Sequence, residues 1–556
     1  MWSRLFRLNN AMKRKLETSN ISRPLRRRTT HSYTMELTKN ERRLRLLLLD
    51  VAKSIDETGK LPEPVILRWA GGWVRDRLLG IPSHDIDVAI NNMTGEPFAQ
   101  YMQKYCDELL SKPESERKHA ITREEMGNLY RVASNPAKSK HLETAGFEMF
   151  NLELDFVNLR KETYAEDSRN PQMEFGTAEE DARRRDATIN ALFYNLHTDS
   201  VEDFTGGLPD LLEKRIIRTP LEPLQTFMDD PLRVLRLVRF SSRLQFAIDP
   251  ETEKHMGDEN VLKALHTKIS RERVGIELEK MLKDQHPRYA LALIDRLQLY
   301  HAIFTDPAKE KISRPCITRW HVAYDCLDHL LRNQTPGSIA DKLAHTAETS
   351  YIAWNLAALC PWMTVEELPD PKRKANSPPL VTEVAREGFR APNKLTTVLT
   401  SSRRHLNEIL ELKKAVVEGA AYINERDRFG MAIRQWDGQT GSWRLQVLNA
   451  LLVEVMGELE TWEKGSSEGC DAFLGGWQIF LDHLGELDVW DAPSLKPLLD
   501  GRKLASAFGI KPGKWTGAAL NVCTAWQLRH PGVTDPTGAI EEVRSRAQEL
   551  EIPLKG

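Results

Sequence analysis

The pattern of apolar and polar residues is most informative between Leu67 and Ile90, which read LRWAGGWVRDRLLGIPSHDIDVAI. An apolar run leads into a glycine pair, a helix-like segment follows, and alternating residues end the stretch. This order predicts a strand, a turn, a helix and a second strand. Because successive side chains of a strand point to opposite faces, Asp85 and Asp87 should share one face of the second strand.

A second alternating segment, FNLELDFVNL at Phe150–Leu159, predicts another half-buried strand. Asp155 lies between two apolar residues of this segment, and Glu153 shares its face. Periodicity alone leaves both carboxylates open as functional groups.

The remaining segments complete the predicted order of elements. Residues 95–150 are polar, and the cluster at 113–116 suggests a surface insertion. Residues 160–177 are rich in charge, proline and glycine, which predicts a mobile loop. Thr177 and Glu180 then fit a capping box, which predicts a helix running through EEDARRRDATINALFYNL. Beyond about residue 290 we expect helices joined by short loops.

Composition narrows the class of protein. The 556 residues suggest about three or four domains. The formal net charge is −2, so a surface that binds nucleic acid would have to be local. Six scattered cysteines without a CxxC pair favour free thiols in a reducing compartment. No apolar run approaches the ~18 residues that span a bilayer, so we expect a soluble protein with no membrane partner.

Residues 1–34 differ from the rest of the chain. They contain nine Arg or Lys residues and a single acid, Glu17, with apolar residues interleaved near the start. This composition is typical of a mitochondrial presequence. We therefore expect a mitochondrial form that begins at Met1 and a nuclear or cytosolic form that begins at Met12. A basic tail without a targeting role is the alternative.

The first stretch also predicts chemistry. Paired carboxylates suit a divalent metal ion, because such ions prefer oxygen ligands. Gly71 and Gly72 leave room for a phosphate group to approach the backbone at the start of a helix, whose N–H groups would receive it. The stretch is therefore predicted to hold a metal and a triphosphate together, although a DxD pair alone is more often a solvated strand end.

The complete pattern is stricter than a DxD pair. The stretch has a glycine pair, twelve further residues and then DIDV. In this order it resembles the nucleotidyltransferase superfamily, which includes polymerase beta, poly(A) polymerases and tRNA nucleotidyltransferases. In that superfamily a later strand supplies a third carboxylate. The string LDFVNLR matches the family at this point, so the resemblance favours Asp155 over Glu153.

Four later strings narrow the resemblance to the class II CCA-adding enzymes, the tRNA nucleotidyltransferases of eukaryotes and bacteria. RRRDATINALFYN resembles their second signature, VEDFTGGLPDLLEKRIIRTP the third, FMDDPLRVLRLVRFSSRLQF the fourth and ISRERVGIELEKML the fifth. KPGKWTGAALNVCTAWQLRHPG, which begins at Lys511, resembles the tail of eukaryotic members with lower specificity. The third signature, which joins head and neck in the family, matches through Asp203, Gly206, Gly207, Asp210 and Leu211.

The resemblance implies an α+β fold. A small mixed sheet with helices forms the nucleotidyltransferase head at 35–200. All-helical neck, body and tail domains follow at 201–290, 291–430 and 431–556, after the basic segment 1–34.

The resemblance also implies the activity and the roles of residues. The expected reaction is template-independent addition of CCA to the 3′ end of tRNA from CTP and ATP by two-metal transfer, with pyrophosphate release. Asp85 and Asp87 would hold Mg²⁺, and Asp155 would help to activate the 3′-hydroxyl. The nucleotide would be bound by Gly71, Gly72, Arg75, Arg184, Arg185 and Asp186, the last three of which could otherwise be a solvated helix face. The partners would be tRNA and the two nucleotides, and we expect a monomer.

Base selection is assigned to the fourth signature. Asp230 and Arg233 are three residues apart, which would place both side chains on one face of a helix. In the family this pair selects CTP and then ATP. The local alternative is that Asp230 only caps a helix that begins with proline. Asp229 stands where the family has Glu, and the basic stripe of Arg236, Arg239 and Arg243 suits either RNA phosphates or a solvated face.

Three other functions stay open. The chain could add only CC or only A, since relatives have Arg-Ile-Pro where this loop has Asn170 before its proline. A related poly(A) polymerase fits the tail and the LDFVNLR string less well. A non-catalytic tRNA-binding or quality-control factor would not need all three carboxylates.

Overall fold

The computed structural model describes residues 35–132, 144–163, 172–309, 314–366, 377–438, 442–457 and 467–553. Within them the chain forms two compact units, one ending at Ile303 and the other beginning at Phe304. The basic segment 1–34, with both proposed start sites, lies outside the described residues.

A seven-stranded mixed sheet organises the first unit. Its order is β3-β4-β5-β2-β1-β8-β9, and only β2 and β5 run parallel to each other. The strands are β1 (Leu67–Ala70), β2 (Asp85–Ile90), β3 (Tyr130–Val132), β4 (Thr144–Met149), β5 (Leu152–Asn158), β8 (Leu192–Asn195) and β9 (Ser200–Asp203).

The helices of the first unit cover the sheet and then continue as a helical neck. This confirms the predicted α+β head followed by helices. The α-helices longer than three residues are α1 (Lys39–Asp56), α2 (Gly72–Leu78), α3 (Gly95–Leu110), α4 (Ala178–Arg183), α5 (Pro223–Asp229), α6 (Leu232–Leu244), α7 (Pro250–Met256), α8 (Glu259–Lys268), α9 (Arg271–Leu282), α10 (Pro287–Arg296) and α11 (Tyr300–Ile303).

Two short pairs of strands lie outside the main sheet. β6 (Arg160–Thr163) and β7 (Gln172–Phe175) form an antiparallel hairpin, and β10 (Ile216–Ile217) pairs with β11 (Ala247–Ile248). The loop predicted at 160–177 is therefore partly a β-hairpin. Asn170 lies outside the described residues.

The predicted surface insertion at 95–150 is wrong for most of its length. α3 is amphipathic, with Phe98, Met102, Cys106 and Leu109 buried, and it packs on β4 and β5. Its apolar residues recur at three- and four-residue spacing, so they form one buried stripe despite the polar composition. The Glu114–Glu116 turn does lie on the surface.

The helix predicted from Thr177 through Leu196 is also wrong beyond its first turns. Thr177 caps α4 through the expected capping box with Glu180, but α4 ends at Arg183. A single 3₁₀ turn and β8 follow. All four residues of β8 are buried, because Tyr194 packs against Trp69 and Trp73 on one face of the sheet while Phe193 packs with Ala178 and Ala182 on the other. A strand buried on both faces shows no alternation, so its apolar run is easily taken for helix.

The second unit is helical throughout its described part. Its last segment, from Leu499 to Ile552, packs around a small core of its own. Among the helices of the described residues, none is both long and apolar enough to cross a membrane. The helices are α12 (Trp320–Arg332), α13 (Ile339–Leu343), α14 (Ala347–Met363), α15 (Leu380–Phe389), α16 (Asn393–Glu418), α17 (Arg426–Asp437), α18 (Trp443–Gly457), α19 (Ser467–Glu486), α20 (Gly501–Ala507), α21 (Trp515–Arg529) and α22 (Thr537–Ser545).

Candidate active site

The predicted carboxylates lie together on one face of β2 and β5. In β2, Ile86 is fully buried while Asp85 is exposed, as the alternation predicts. The parallel register places Asp155 opposite Asp87, and Glu153 opposite Asp85. Both candidates for the third carboxylate therefore lie on the same face of β5.

Each of the three predicted carboxyls has a raised pKa. Burial raises the pKa of Asp87 to about 6, although the nearby Arg185 guanidinium opposes this change. The pKa values of Asp85 and Asp155 are raised by burial and by repulsion from the neighbouring carboxylates. Lys280 opposes the rise at Asp85. The face therefore carries more negative charge than the protein compensates.

A divalent cation fits this donor set. The donors are hard carboxylate oxygens on adjacent strands. Burial and then mutual repulsion raise their pKa values, and a bound cation would relieve the repulsion. In the described part of the chain, no three His, Cys, Asp or Glu side chains are already close enough to surround a metal ion. The donors fit Mg²⁺ in chemical type and in register.

Tyr130 is a neighbour of the carboxylates that the sequence analysis missed. The register aligns Tyr130, Gly146 and Asp155 across β3, β4 and β5. A Cβ atom at Gly146 would lie 2.0 Å from the Tyr130 ring, and the Tyr130 hydroxyl lies 3.5 Å from Oδ1 of Asp155. The glycine lets the ring cross to the acidic face. No signal in the sequence pairs β3 with β4.

Gly71 gives Arg185 access to the acidic face. Gly71 precedes α2 with a φ of 70°, and a Cβ atom there would lie 2.8 Å from Nη1 of Arg185 and 3.6 Å from Oδ2 of Asp87. The guanidinium and the carboxylate therefore approach Gly71 together. Gly72 begins α2.

Arg184 and Arg185 share one buried carboxylate, Asp181. Nε of Arg184 donates to Oδ1 of Asp181 at 2.9 Å, and Nε of Arg185 donates to Oδ2 at 3.0 Å. Burial would raise the pKa of Asp181, but the two guanidiniums outweigh it and hold the pKa below its usual value. The sequence analysis missed Asp181, although its spacing of three and four residues from the two arginines on a helix was a usable signal.

Arg75 and Asp186 are both bound inside the protein. The Arg75 guanidinium is 4% exposed and donates to Asp76 at 2.8 Å and to Asn190 at 2.5 Å. Asp186 accepts from Nε of Arg236 on α6 at 2.6 Å. Burial would raise the pKa of Asp186, but Arg236 holds it well below its usual range. Asp186 therefore ties α6 to the segment that carries Arg184 and Arg185.

The base-selecting pair is arranged differently from the prediction. Asp230 has an extended backbone before α6, and its Oδ1 accepts the N–H of Leu232 at 3.2 Å. The expectation that Asp230 and Arg233 both lie on one helix is wrong, because Asp230 precedes α6 and only Arg233 lies on it. Arg233 is buried, and its Nη2 donates to the carbonyl of Arg184 at 2.8 Å.

Asp229 ends α5 rather than lying on α6. Its Oδ1 accepts from the Gln225 amide at 2.7 Å, four residues earlier on the same helix. Through this bond to Gln225, Asp229 is tied to α5.

The basic stripe of α6 makes ion pairs inside the unit. Arg236 pairs with Asp186 at 2.6 Å, Arg239 with Glu277 at 2.6 Å, and Arg243 with Asp76 at 3.3 Å. The alternative of a merely solvated face is wrong for these three side chains. They hold α6 against the head and against α9.

Asp203 and Asp210 organise the segment between sheet and neck. Asp203 accepts the N–H groups of Gly207 and Leu208, each at 2.9 Å, and Gly206 has a φ of 78°. A Cβ atom at Gly207 would lie 2.2 Å from the carbonyl oxygen of Thr188.

Asp210 is fully buried within this segment. It bonds Thr188 at 2.9 Å and Arg218 at 2.7 Å, and it opens a π-helical turn, Asp210–Lys214. These contacts fix the exit of the chain from the head.

The same parts of the chain match known proteins. Residues 67–218 match the family described as the poly A polymerase head domain, and residues 245–310 match one described as a probable RNA and SrmB-binding site of polymerase A. Nucleotidyltransferase lcsQ of Purpureocillium lilacinum is 59% identical over 95% of this chain and 94% of that protein. The mitochondrial CCA tRNA nucleotidyltransferase of Saccharomyces cerevisiae is 34% identical over 95% of this chain and 96% of that protein.

A solved structure shows the same fold. The Thermotoga maritima CCA-adding enzyme complexed with tRNA aligns with a TM-score of 0.54 at 20% identity, over 90% of this chain and 95% of that chain.

Proposed function

Since the chain belongs to the CCA tRNA nucleotidyltransferase family of enzymes, we propose that it adds CCA to the 3′ end of tRNA, using CTP and ATP and releasing pyrophosphate. The observation that carries the proposal is the register of β2 and β5, which places Asp85, Asp87 and Asp155 on one face beside Arg185. Three carboxylates and an arginine suit nucleotidyl transfer, in which negative charge builds up on phosphate oxygens.

Asp85 and Asp87 would hold Mg²⁺, which when bound lowers the pKa of the attacking hydroxyl and offsets the charge of the triphosphate. Asp155 lies opposite Asp87 and would orient the 3′-hydroxyl of the tRNA. The hydroxyl oxygen would attack the α-phosphorus in line, the bond to the pyrophosphate oxygen would break, and the hydroxyl proton would pass to solvent water.

Arg185 would bind the triphosphate next to Gly71, whose missing side chain leaves the space. Asp181 positions both Arg184 and Arg185 for this contact. Arg75 acts indirectly in this scheme, because its guanidinium already bonds Asp76 and Asn190.

Base selection would fall to Asp230 and Arg233. Cytosine and adenine each present an amino group beside a ring-nitrogen acceptor, and a carboxylate with a guanidinium can satisfy this arrangement. Uracil and guanine present a carbonyl in place of the amino group. Asp186 would stiffen the pocket through its bond to Arg236 on α6.

An incorporation assay tests the proposal. tRNA transcripts that end at the discriminator base, at C or at CC are incubated with Mg²⁺ and labelled CTP or ATP, singly and together, and are separated on sequencing gels. We expect addition of CC and then a single A, with no further extension. The variants D85A and D87A should lose at least about 10³-fold in rate, as expected when a catalytic metal site is removed.

A partial activity is the second candidate, because Asn170 departs from the family pattern in the loop. Extension that stops at CC, or that occurs only on the CC-ending transcript, would identify a CC-adding or A-adding enzyme. A long A tract would indicate a poly(A) polymerase. No incorporation with intact tRNA binding would refute transfer and leave a tRNA-binding factor.

Mitochondrial targeting is part of the proposal. The S. cerevisiae relative is described as mitochondrial, and the basic segment 1–34 has a presequence-like composition. We propose that the form starting at Met1 is mitochondrial and the form starting at Met12 nuclear or cytosolic. Fluorescent fusions that start at each methionine test this, and identical distributions would refute it.

A further inference from the structure

Helix α9 presents charged side chains to α6 and to Asp230, which lies two residues before α6. Arg273 and Glu277 are four residues apart, so they lie on one face of α9. Glu277 accepts from Nε of Arg239 at 2.6 Å, and Arg271 donates to the carbonyl of Ala302 at 2.9 Å. These contacts hold α9 in place along α6, with Arg273 in its first turn.

The Arg273 guanidinium bonds the carboxylate of Asp230. Nη2 of Arg273 lies 2.8 Å from Oδ2 of Asp230, and the two side chains are 27% and 21% exposed. Oδ1 of Asp230 accepts the N–H of Leu232 at 3.2 Å. Two donors from different helices therefore fix both oxygens, and rotating the carboxylate would break at least one bond. Each oxygen keeps a second lone pair that can accept from a ligand.

We propose, on the basis of the proposed function, that Arg273 is a positioning residue for base selection, which holds the Asp230 carboxylate where it accepts the amino group of cytosine or adenine. A carboxylate only accepts hydrogen bonds, so a base that presents a carbonyl at this point is repelled. Uracil and guanine present such a carbonyl. A carboxylate that is free to turn could avoid the carbonyl, and the site would then discriminate less.

This role differs from a purely structural one. Arg273 acts through Asp230, so its loss changes the ratio of affinities between bases. Loss of a general support for the fold would instead weaken binding of all four nucleotides in proportion.

Equilibrium binding of CTP, ATP, UTP and GTP to the full chain in Mg²⁺ buffer, measured by isothermal titration calorimetry, tests the proposal. The variants are R273M, R273K and the control R296M. Arg296 is a matched control because it also makes one ion pair, with Glu253 at 3.0 Å, and its side chain is 56% exposed. We expect the CTP/UTP and ATP/GTP affinity ratios to fall about tenfold in R273M, to fall less in R273K, and to stay unchanged in R296M.

The double variant D230N/R273M shows whether Arg273 works through Asp230. We expect its ratios to match those of D230N, because the two residues form one unit. Equal weakening of all four nucleotides in R273M, unchanged ratios, additive effects of the two substitutions, or no discrimination by the unaltered protein would each overturn the proposal. If circular dichroism shows that R273M does not fold, R273K decides by the same ratios. A protein that binds CTP and ATP selectively but extends no tRNA would refute the proposed function and leave the role of Arg273 standing.

Discussion

Replacing Asp87 by Asn should stabilise the metal-free protein and abolish nucleotide incorporation. Burial raises the pKa of Asp87 from 3.8 to about 6, against the attraction of Arg185. A rise of roughly 2 pKa units corresponds to about 3 kcal/mol by which ionised Asp87 destabilises the fold. Asn has nearly the same shape and carries no charge, so D87N avoids this cost.

The direction of the pKa shift at Asp87 determines how the stability gain of D87N depends on pH. Because the folded-state pKa is raised, the folded protein binds the proton more tightly than the unfolded chain does. The contribution of protonated Asp87 to the free energy of unfolding is fully present below pH 3.8 and is lost as pH rises through about 6. The advantage of D87N should therefore be about 3 kcal/mol at pH 7.5 and about half of that at pH 5.

Thermal unfolding in EDTA at both pH values measures this advantage. At pH 7.5 the Tm of D87N should exceed that of the unaltered protein by about 5 °C, while added Mg²⁺ should raise only the Tm of the unaltered protein. D107N is a suitable control, because Asp107 is 50% exposed and pairs with Arg123 on the surface, where such pairs contribute about 0–1 kcal/mol. A gain that is absent at pH 7.5 or equal at both pH values would refute the buried-charge argument, and retained incorporation would refute the catalytic role.

The other predictions concern the surroundings of the acidic face. D186N should lower the free energy of unfolding in urea at pH 7 by about 1–3 kcal/mol, because it removes the charge that the half-buried Arg236 guanidinium binds; unchanged stability would contradict this. R233A should allow incorporation of UMP or GMP on gels, and unchanged fidelity would favour a purely structural role. G71A should lower the incorporation rate at least about tenfold by displacing Arg185, whereas G59A, with a similar φ and no neighbour within 4 Å, bears only the backbone strain. Equal rates in the two glycine variants would show that Arg185 is not displaced.

The sequence predicts the centre of the head well because local rules operate there. β1, α2 and β2 follow from the order of apolar residues, glycine pair and alternation, and the shared face of Asp85 and Asp87 follows from the period of a strand. The capping box at Thr177 is equally local. The roles of these residues rest on the family resemblance and stay predictions.

The sequence predicts the structure poorly wherever contacts with residues distant in the chain determine it. The apolar run of β8 favours a helix on sequence grounds, because its burial comes from residues packed on both faces of the sheet. Tyr130 reaches Asp155 only through two strand pairings. The pairing of Arg273 with Asp230 spans 43 residues and joins α9 to the turn between α5 and α6, and no local pattern specifies this contact.

The ion pairs of α6 bear on how salt would affect binding of RNA. A lysine or arginine that contacts an RNA phosphate releases counterions, so the affinity falls as the salt concentration rises. Each such contact adds to the slope of log affinity against log salt concentration. Arg236, Arg239 and Arg243 already face carboxylates of the protein. The number of basic residues on this helix therefore overstates its share of that slope. In the proposed binding of tRNA, the counterions would be displaced largely by lysines and arginines elsewhere in the chain.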